Sequence, residues 1–361
     1  MSNTLGKEFS VTSFGESHGQ LVGVVVDGCP PGLALDEEDI QLEINRRKAG
    51  KPGSTARQEP DLVEVLSGVY QGRTTGAPIT MVIYNQDFDS SKYGGKMVIP
   101  RPGHADYASF IKYKGFSDHR GGGRFSGRIT AGFVMSGAVA KKLLALSDIE
   151  VLAHTIEIGG IKTKQASLEE IRSSSKNTLC CADSGASLNM LEAINQAKAE
   201  GDSLGGIVEA IALGVPAGLG EPVFDNIDGD LAKAIFAIPA VKAVEFGAGF
   251  GAARMKGSQN NDPIIVSEKG ITCATNNAGG VTGGMSNGMP IVMRIAIKPT
   301  PSVSIEQDSV NVKTLQPEKL AVTGRHDTCI VPRAVVVVEA MVAITLADFA
   351  IRARIIPGVV E

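Results

Sequence analysis

Twice in this chain a β-patterned run enters a proline/glycine turn and then a helix, and each time a later strand carries a matching signature. No other feature limits the fold as much. The first turn is Cys29-Pro-Pro-Gly-Leu33, followed by helical Ile40-Gln-Leu-Glu-Ile44; the second is Val215-Pro-Ala-Gly-Leu219, followed by Leu231-Ala-Lys-Ala-Ile235. Gly76-Ala-Pro-Ile-Thr-Met81 then has its counterpart in Gly288-Met-Pro-Ile-Val-Met293. The echoes come in the same order, which predicts a duplicated β-turn-helix-β unit. Such a unit builds one pseudo-symmetric core, so residues 1–361 are expected to form a single domain with repeated halves.

The rest of the pattern fills in around these units. Phe9–Phe14 and Leu21–Val26 read as strands flanking Gly15-Glu-Ser-His-Gly19. Asp36 caps a helix with an acidic first turn and a basic end at Arg46, Arg47 and Lys48, as the helix dipole favours. Leu62–Tyr70 and Ala77–Tyr84 alternate as the two strands of a hairpin, and Asn85–Gly103 is a long irregular span of the kind that is functional or mobile. Helical spacing covers Thr130–Leu146, a short helix lies near Leu168–Ser173, and a charged one spans Leu188–Glu200. Strands are expected at Ile149–Ile158, Gly206–Gly214 and Ile291–Ile297. The final apolar helix, Ala334–Arg354, has a valine-rich start that is equally compatible with a strand.

Ser117–Thr130, which reads Ser-Asp-His-Arg-Gly-Gly-Gly-Arg-Phe-Ser-Gly-Arg-Ile-Thr, is an anion cradle in sequence form. Three glycines allow close backbone approach, Arg120, Arg124 and Arg128 offer forked donors, and the helix that follows presents its N-terminus. The same composition occurs in nucleic-acid tethers, but a net charge of −4 argues against a broad polyanion surface. The cations are grouped instead in glycine- and proline-rich loops: Arg46–Lys48, Lys51 and Arg57; Arg101–His104; His119–Arg128; Arg325–Arg333. Asn276–Gly288 is a second glycine-rich loop suited to ligand approach.

Of five histidines, His154 sits in an apolar strand and reads as structural, whereas His18 and His104 lie in turn loops beside charge and are candidates for general acid or base work. His119 lies inside the cradle and His326 in Arg325-His-Asp327. No ligand spacing suggests a metal, and the five cysteines, odd in number, are expected to be reduced thiols. The first residues lack the apolar core of a signal peptide and the most apolar run carries Glu339 and Asp348, so a cytoplasmic chain without a membrane span is expected.

Two other enzyme classes meet local objections. Gly247-Ala-Gly-Phe-Gly-Ala252, with Glu268 downstream, matches a dinucleotide fingerprint in form, which would make a nicotinamide- or flavin-dependent oxidoreductase, yet no apolar crossover helix follows it. Gly15-Glu-Ser-His-Gly19 has the form of a hydrolase nucleophile elbow, but a strand follows where that elbow needs a helix.

Taken together, Gly15-Glu-Ser-His-Gly19, Arg101-Pro-Gly-His-Ala-Asp106, Gly121-Gly-Gly-Arg-Phe-Ser126 and Arg325-His-Asp327 resemble the chorismate synthase family. The resemblance runs through nearly the whole chain, including Asp27-Gly-Cys-Pro-Pro-Gly32, Gly214–Asp225, Gly257-Ser-Gln-Asn260 and Lys298-Pro-Thr300. It implies an α+β fold, a β-α-β sandwich with a helical layer between two antiparallel sheets, assembled as a homotetramer. It also implies a lyase that removes phosphate from 5-enolpyruvylshikimate 3-phosphate by 1,4-anti elimination, using reduced FMN (FMNH2) without net redox change.

On the family pattern His18 balances charge on the reduced flavin, His104 assists the departing phosphate, and Asp327, working with flavin N5, takes the C6 proton, while Ser17 and Ser126 support the relay. The same pattern assigns FMN contacts to Arg124, Phe125, Ser126, Pro239, Ala240, Gly283, Lys298, Pro299, Thr300, Pro301, Ser302 and Arg325. Arg47 is its nicotinamide contact, with NADPH as an external reductant and a separate flavin reductase as partner. Phe125, Ile129 and Asn277 depart from the usual residues, and Lys51-Pro-Gly53 stands where a second arginine is common.

Overall fold

The computed structural model describes residues 3–48, 53, 60–86, 98–268, 270–322 and 327–361. It opens with β1 (Thr4–Leu5) and the hairpin β2 (Ser10–Gly15) and β3 (Leu21–Asp27), then turns at Gly32, whose φ of +95° only glycine adopts easily. Helix α1 (Glu37–Arg47) starts at a capping box, Asp36 accepting from Asp39 N–H and the Asp39 carboxylate accepting from Asp36 N–H. Next come β4 (Glu64–Val65), β5 (Val69–Tyr70), β6 (Arg73–Thr74) and β7 (Ile79–Tyr84). The strand expected over Leu62–Tyr70 is thus two short ones. The break falls at Gly68, whose φ of +83° turns the backbone out of the extended region.

A helix missed by the sequence pattern, α2 (Asp106–Tyr113), precedes the glycine loop, and α3 (Thr130–Ala145) follows it. The second half supplies β8 (Glu150–Ile158), β9 (Ile161–Lys162), α4 (Leu168–Ser173), α5 (Ser184–Ala199) and β10 (Gly206–Leu213). Helix α5 begins four residues earlier than expected because Asp183 caps it, accepting from Ala186 N–H. After α6 (Ile227–Phe236) and β11 (Val241–Phe246), Gly249–Arg254 forms a 3₁₀ turn and Gly257–Asn260 the single turn α7. A dinucleotide site needs a crossover helix at this point. Three small hairpin pairs interleave with the strand of the second echo: β12 (Ile264–Ser267) with β13 (Gly270–Cys273), β14 (Val281–Thr282) with β15 (Met285–Ser286), then β16 (Ile291–Ile297), and β17 (Gln307–Val310) with β18 (Pro317–Leu320). The chain closes with α8 (Val331–Arg352), helical from its valine-rich first turn.

Two five-stranded sheets result, of order β1-β2-β3-β7-β4 and β11-β16-β10-β8-β9, with antiparallel pairing throughout. β2-β3-β7-β4 and β8-β10-β16-β11 follow one another in the same chain order. The echoed strands pair alike, Leu21 opposite Tyr84 and Val26 opposite Ile79 in the first sheet, Gly206 opposite Ile297 and Ala212 opposite Ile291 in the second.

Helix α3 lies on β2, β3 and β7, α8 lies on β8 and β10, and the two helices pack on each other. They touch so closely that a Cβ on Gly137 would come within 2.3 Å of Ala340 Cβ. Neither helix has a polar face. α8 is long and apolar enough to cross a membrane, yet 94% of its most apolar window is buried inside the fold, as in a core helix. The buried carboxylates of this core are matched: Glu339 accepts from Arg46 at 2.6 and 2.8 Å, from Lys141 at 2.6 Å and from Ala153 N–H at 3.2 Å, tying α8 to α1, α3 and β8. Asp348 likewise accepts from Lys7, Glu8 and Phe9 N–H, pinning the N-terminal segment. All five cysteines are free thiols, and burial pushes those of Cys29 and Cys329 up to about 12.

Candidate active site

The glycine loop is built from consecutive residues at positive φ: Gly121 at +58°, Gly122 at +86° and Gly123 at +52°. This path brings bare backbone between two histidine loops. A Cβ on Gly121 would lie 2.2 Å from His18 Cδ2 and 3.0 Å from Ser17 Oγ, and one on Gly122 would lie 3.5 Å from His104 Nε2 and 3.6 Å from Ser126 Cβ. Ser17 N–H also donates to Gly123 O at 3.4 Å. His18, His104, Ser17 and Ser126, far apart in sequence, therefore converge on two adjacent glycines.

The arginines of the loop do a different job from the one their spacing suggests. Arg120 pairs with Asp118 through Nε and Nη2 at 2.9 and 2.8 Å. Arg124 donates to Ser13 O, Ser13 Oγ and Gly15 O on β2 and to Asn3 Oδ1, and burial lowers its pKa. Arg128 is buried against Asp61 and Asn85. Arg124 and Arg128 tie the loop to β2 and to Asp61 and Asn85, whereas Arg120 is paired within the loop itself. Asn85 extends the link, donating to Glu16 O and Gly19 O at 3.1 and 2.8 Å.

On the other side of His104, the turn before α2 is clamped to the second half of the chain. Asp106, 8% exposed, accepts from Arg101 N–H at 3.1 Å, from Arg101 Nε and Nη2 at 2.7 and 2.9 Å, and lies 2.6 Å from His104 Nδ1. Burial would raise its pKa, but the bonds from Arg101 and His104 outweigh that and hold the carboxyl well below the usual range. Lys298 Nζ donates to Gly103 O and Arg101 Nη1 reaches Ser302 Oγ at 3.5 Å. Among the described residues Lys298 has no carboxylate partner, and burial together with Lys242 lowers its pKa. Its backbone N–H donates to the carbonyl of Ala240, a non-glycine residue held at φ +74° immediately after Pro239.

Asp327 closes the circuit. Its carbonyl accepts from Thr300 Oγ1 at 2.6 Å, and its carboxylate faces Arg333 Nη1 at 3.1 and 3.2 Å. Arg333 Nε in turn donates to Arg47 O. Arg47 is buried and donates to Thr130 Oγ1 at 2.9 Å and Gly127 O at 2.7 Å; burial, with Arg333 and Arg128 beside it, lowers its pKa to about 9. The residue expected at a nicotinamide is thus engaged with the backbone that starts α3.

Other expected positions lie apart. Gly283 sits in the β14–β15 turn, where the neighbouring Gly284 O accepts from Ile227 N–H at the start of α6, while Pro239 and Ala240 follow the end of that helix, about 15 Å along. Phe125 is 37% exposed and meets Tyr113 at a tilt, with ring centroids 6.5 Å apart. Arg325, His326 and most of Asn85–Gly103 lie outside the described residues. His119 lines a small cavity of ≈ 20 Å³ with Asp106, Ser109, Ser117 and Phe125, room for a water and no more. Asp61 and Asn85 were not singled out by sequence as site residues, while Arg333 stood there only as the end of a cation group and Asp106 only as the end of the Arg101–Asp106 motif.

Two histidines facing backbone N–H-rich glycine loops, a carboxylate on an arginine, and a lysine with no carboxylate among the described residues define an α+β enzyme that binds a small anionic substrate and moves protons on it. The family model for chorismate synthase matches residues 9–351. Chorismate synthase of Dehalococcoides mccartyi (strain BAV1) is 56% identical over 100% of both chains, and that of Korarchaeum cryptofilum is 52% identical over 96% of this chain and 97% of its own. A solved structure titled "Crystal Structure of Chorismate Synthase" superposes with a TM-score of 0.75 at 34% identity, covering 96% of this chain and 93% of that one. The chain belongs to the chorismate synthase family and is a carbon–oxygen lyase of the shikimate pathway.

Proposed function

We propose that the chain converts 5-enolpyruvylshikimate 3-phosphate to chorismate by 1,4-anti elimination of phosphate. The observation that carries this reading is the convergence of His18 and His104 on Gly121 and Gly122, with Lys298 against Gly103 in the turn that carries His104. In the elimination the C6–H bond breaks, its electron pair moves through the ring double bond, and the C3–O bond breaks with its pair leaving on phosphate. Asp327 is the carboxylate for the C6 proton. His104 gives its proton to the departing phosphate, and Ser17 and Ser126 order the two histidines. Lys298 supplies fixed positive charge near the anion, worth more in a partly dehydrated site than in water.

Reduced FMN, when bound, supplies electron density to the ring during elimination and is returned reduced. The donors suit it: the ammonium of Lys298, with no carboxylate on it among the described residues, and the hydroxyl of Ser302, which accepts from Arg101 and keeps its own hydrogen to give. Arg124–Ser126, Pro239–Ala240, Lys298–Ser302 and Arg325 are its proposed contacts; Gly283 stands at the other end of α6 from them. His18 balances the charge of the reduced ring. The finer architecture belongs to the same reading: one domain of duplicated halves, a β-α-β sandwich with α3 and α8 as the inner layer, assembled as a cytoplasmic homotetramer.

Phosphate release under anaerobic conditions tests the proposal. Turnover should require reduced FMN, fail with oxidised FMN, and consume no reductant; one equivalent of reductant lost per chorismate would favour an oxidoreductase instead. Because Arg47 is engaged internally, NADPH should not reduce FMN on this protein at a useful rate, and a separate flavin reductase would supply it.

A further inference from the structure

Resting on the role proposed for His104, we infer that Asp106 is a positioning residue for it: the carboxylate holds the proton on His104 Nδ1 and leaves Nε2 as the atom that exchanges protons in the site. Asp106 is the first residue of α2 and His104 lies in the turn before it, so a short chain segment brings carboxylate and imidazole together. Oδ1 stands 2.6 Å from Nδ1, a distance for a charge-assisted hydrogen bond. Oδ2 accepts from both Arg101 N–H and Arg101 Nε, which fixes the carboxylate before the imidazole is considered.

Arg101 cannot take over this task. Its Nη2 lies 3.1 Å from Nδ1 and 3.3 Å from Nε2, but a guanidinium only donates and so cannot accept a proton held on Nδ1. Asp106 is thus the acceptor beside Nδ1, 2.6 Å away and acceptor-only when ionised. With Nδ1 protonated, a neutral imidazole presents the Nε2 lone pair, and an imidazolium presents an Nε2–H, toward Gly122, whose Cβ position is 3.5 Å from Nε2. The arrangement is the base-and-orienter geometry of nucleophile-activating triads, used here on a proton donor.

The test has a spectroscopic arm and a kinetic arm. In ¹⁵N-histidine-labelled protein, with His104 assigned by its absence in His104→Ala, neutral His104 should show a pyrrole-type Nδ1 and a pyridine-type Nε2. The opposite tautomer in the unaltered protein would overturn the proposal, with no variant needed. Asp106→Asn should shift His104 toward the Nε2–H tautomer and lower kcat by roughly 10²-fold, within the range a general acid supplies, with KM changed little. Asp106→Glu should recover part of the loss, and Asp106→Asn should cost nothing further in a chain already carrying His104→Ala. An additive loss in that double variant would mean that Asp106 acts through the scaffold and not through His104. If His104→Ala alone leaves turnover unchanged, the acid role of His104 falls while the tautomer result still decides what Asp106 does.

Discussion

Gly121 stands directly against the imidazole of His18, with a Cβ position 2.4 Å from Nε2, and it does so at φ +58°. Alanine there meets both a clash and the left-handed backbone cost of about 1–2 kcal/mol. Gly121→Ala should leave a folded protein with its melting temperature lowered by a few degrees, and turnover lowered at least ~10-fold as His18 is pushed from its place. Turnover close to the parent's, with a displaced melting curve, would mean that the loop does not set the position of His18.

His104 and His119 are separated by α2 but flank the same glycine, His104 through its ring and His119 through its carbonyl, which accepts from Gly122 N–H. His104→Ala should lower kcat by roughly 10²–10⁴-fold, whereas His119→Ala should act mainly on substrate or flavin affinity. Steady-state kinetics with separate binding titrations distinguishes them, and equal losses in kcat at unchanged affinity would refute the assignment.

Asp327 faces Arg333 with both at 20% side-chain exposure, so a merely structural ion pair is the alternative to proton transfer. Proton transfer predicts that Asp327→Asn keeps near-parental melting and flavin affinity, loses most turnover, and shows a larger deuterium isotope effect with substrate labelled at C6. An unstable variant with an unaltered isotope effect would return this carboxylate to the scaffold.

Glu339 is a stability group remote from the chemistry. Burial would raise its pKa, but Lys141 and Arg46 outweigh that and lower it from 4.5 to about 2. A depressed folded-state value means that the ionised form stabilises the fold above about pH 4.5 and that this contribution drains away as pH falls toward 2. Glu339→Gln should therefore cost about 1.5–3 kcal/mol at neutral pH, because Arg46 and Lys141 lose charge-assisted bonds but keep Glu43 as a partner, and it should flatten the acid limb of the stability curve. Denaturant melts at pH 7 and pH 3 check both: a cost that is the same at each pH would mean Glu339 acts through packing alone.

Strand and helix identities were largely legible because they are local. Asp36 and its acidic first turn announced α1, and the apolar runs announced β3, β7, β10 and β16. α2 was missed because Asp106–Tyr113 is short and follows Arg-Pro-Gly, which reads as loop. The site was legible as a set of residue types and not as a geometry. Arg128 looks like a ligand donor until Asp61, more than sixty residues away, proves to occupy it. Asp61 had no local signal at all: a single acid before a strand gives no hint that a buried arginine will find it.

The pair α3 and α8 lies beneath both sheets while every candidate catalytic group hangs on loops outside it. Amide hydrogens in the two helices should exchange with solvent only when the whole molecule opens, whereas those of the glycine loop can exchange through local openings. Motion around a bound ligand and the lifetime of the fold are therefore governed by different barriers, and a change of one or two loop residues can retune the first on its own timescale while the second stays fixed by Gly137 and Ala340 at the helix crossing.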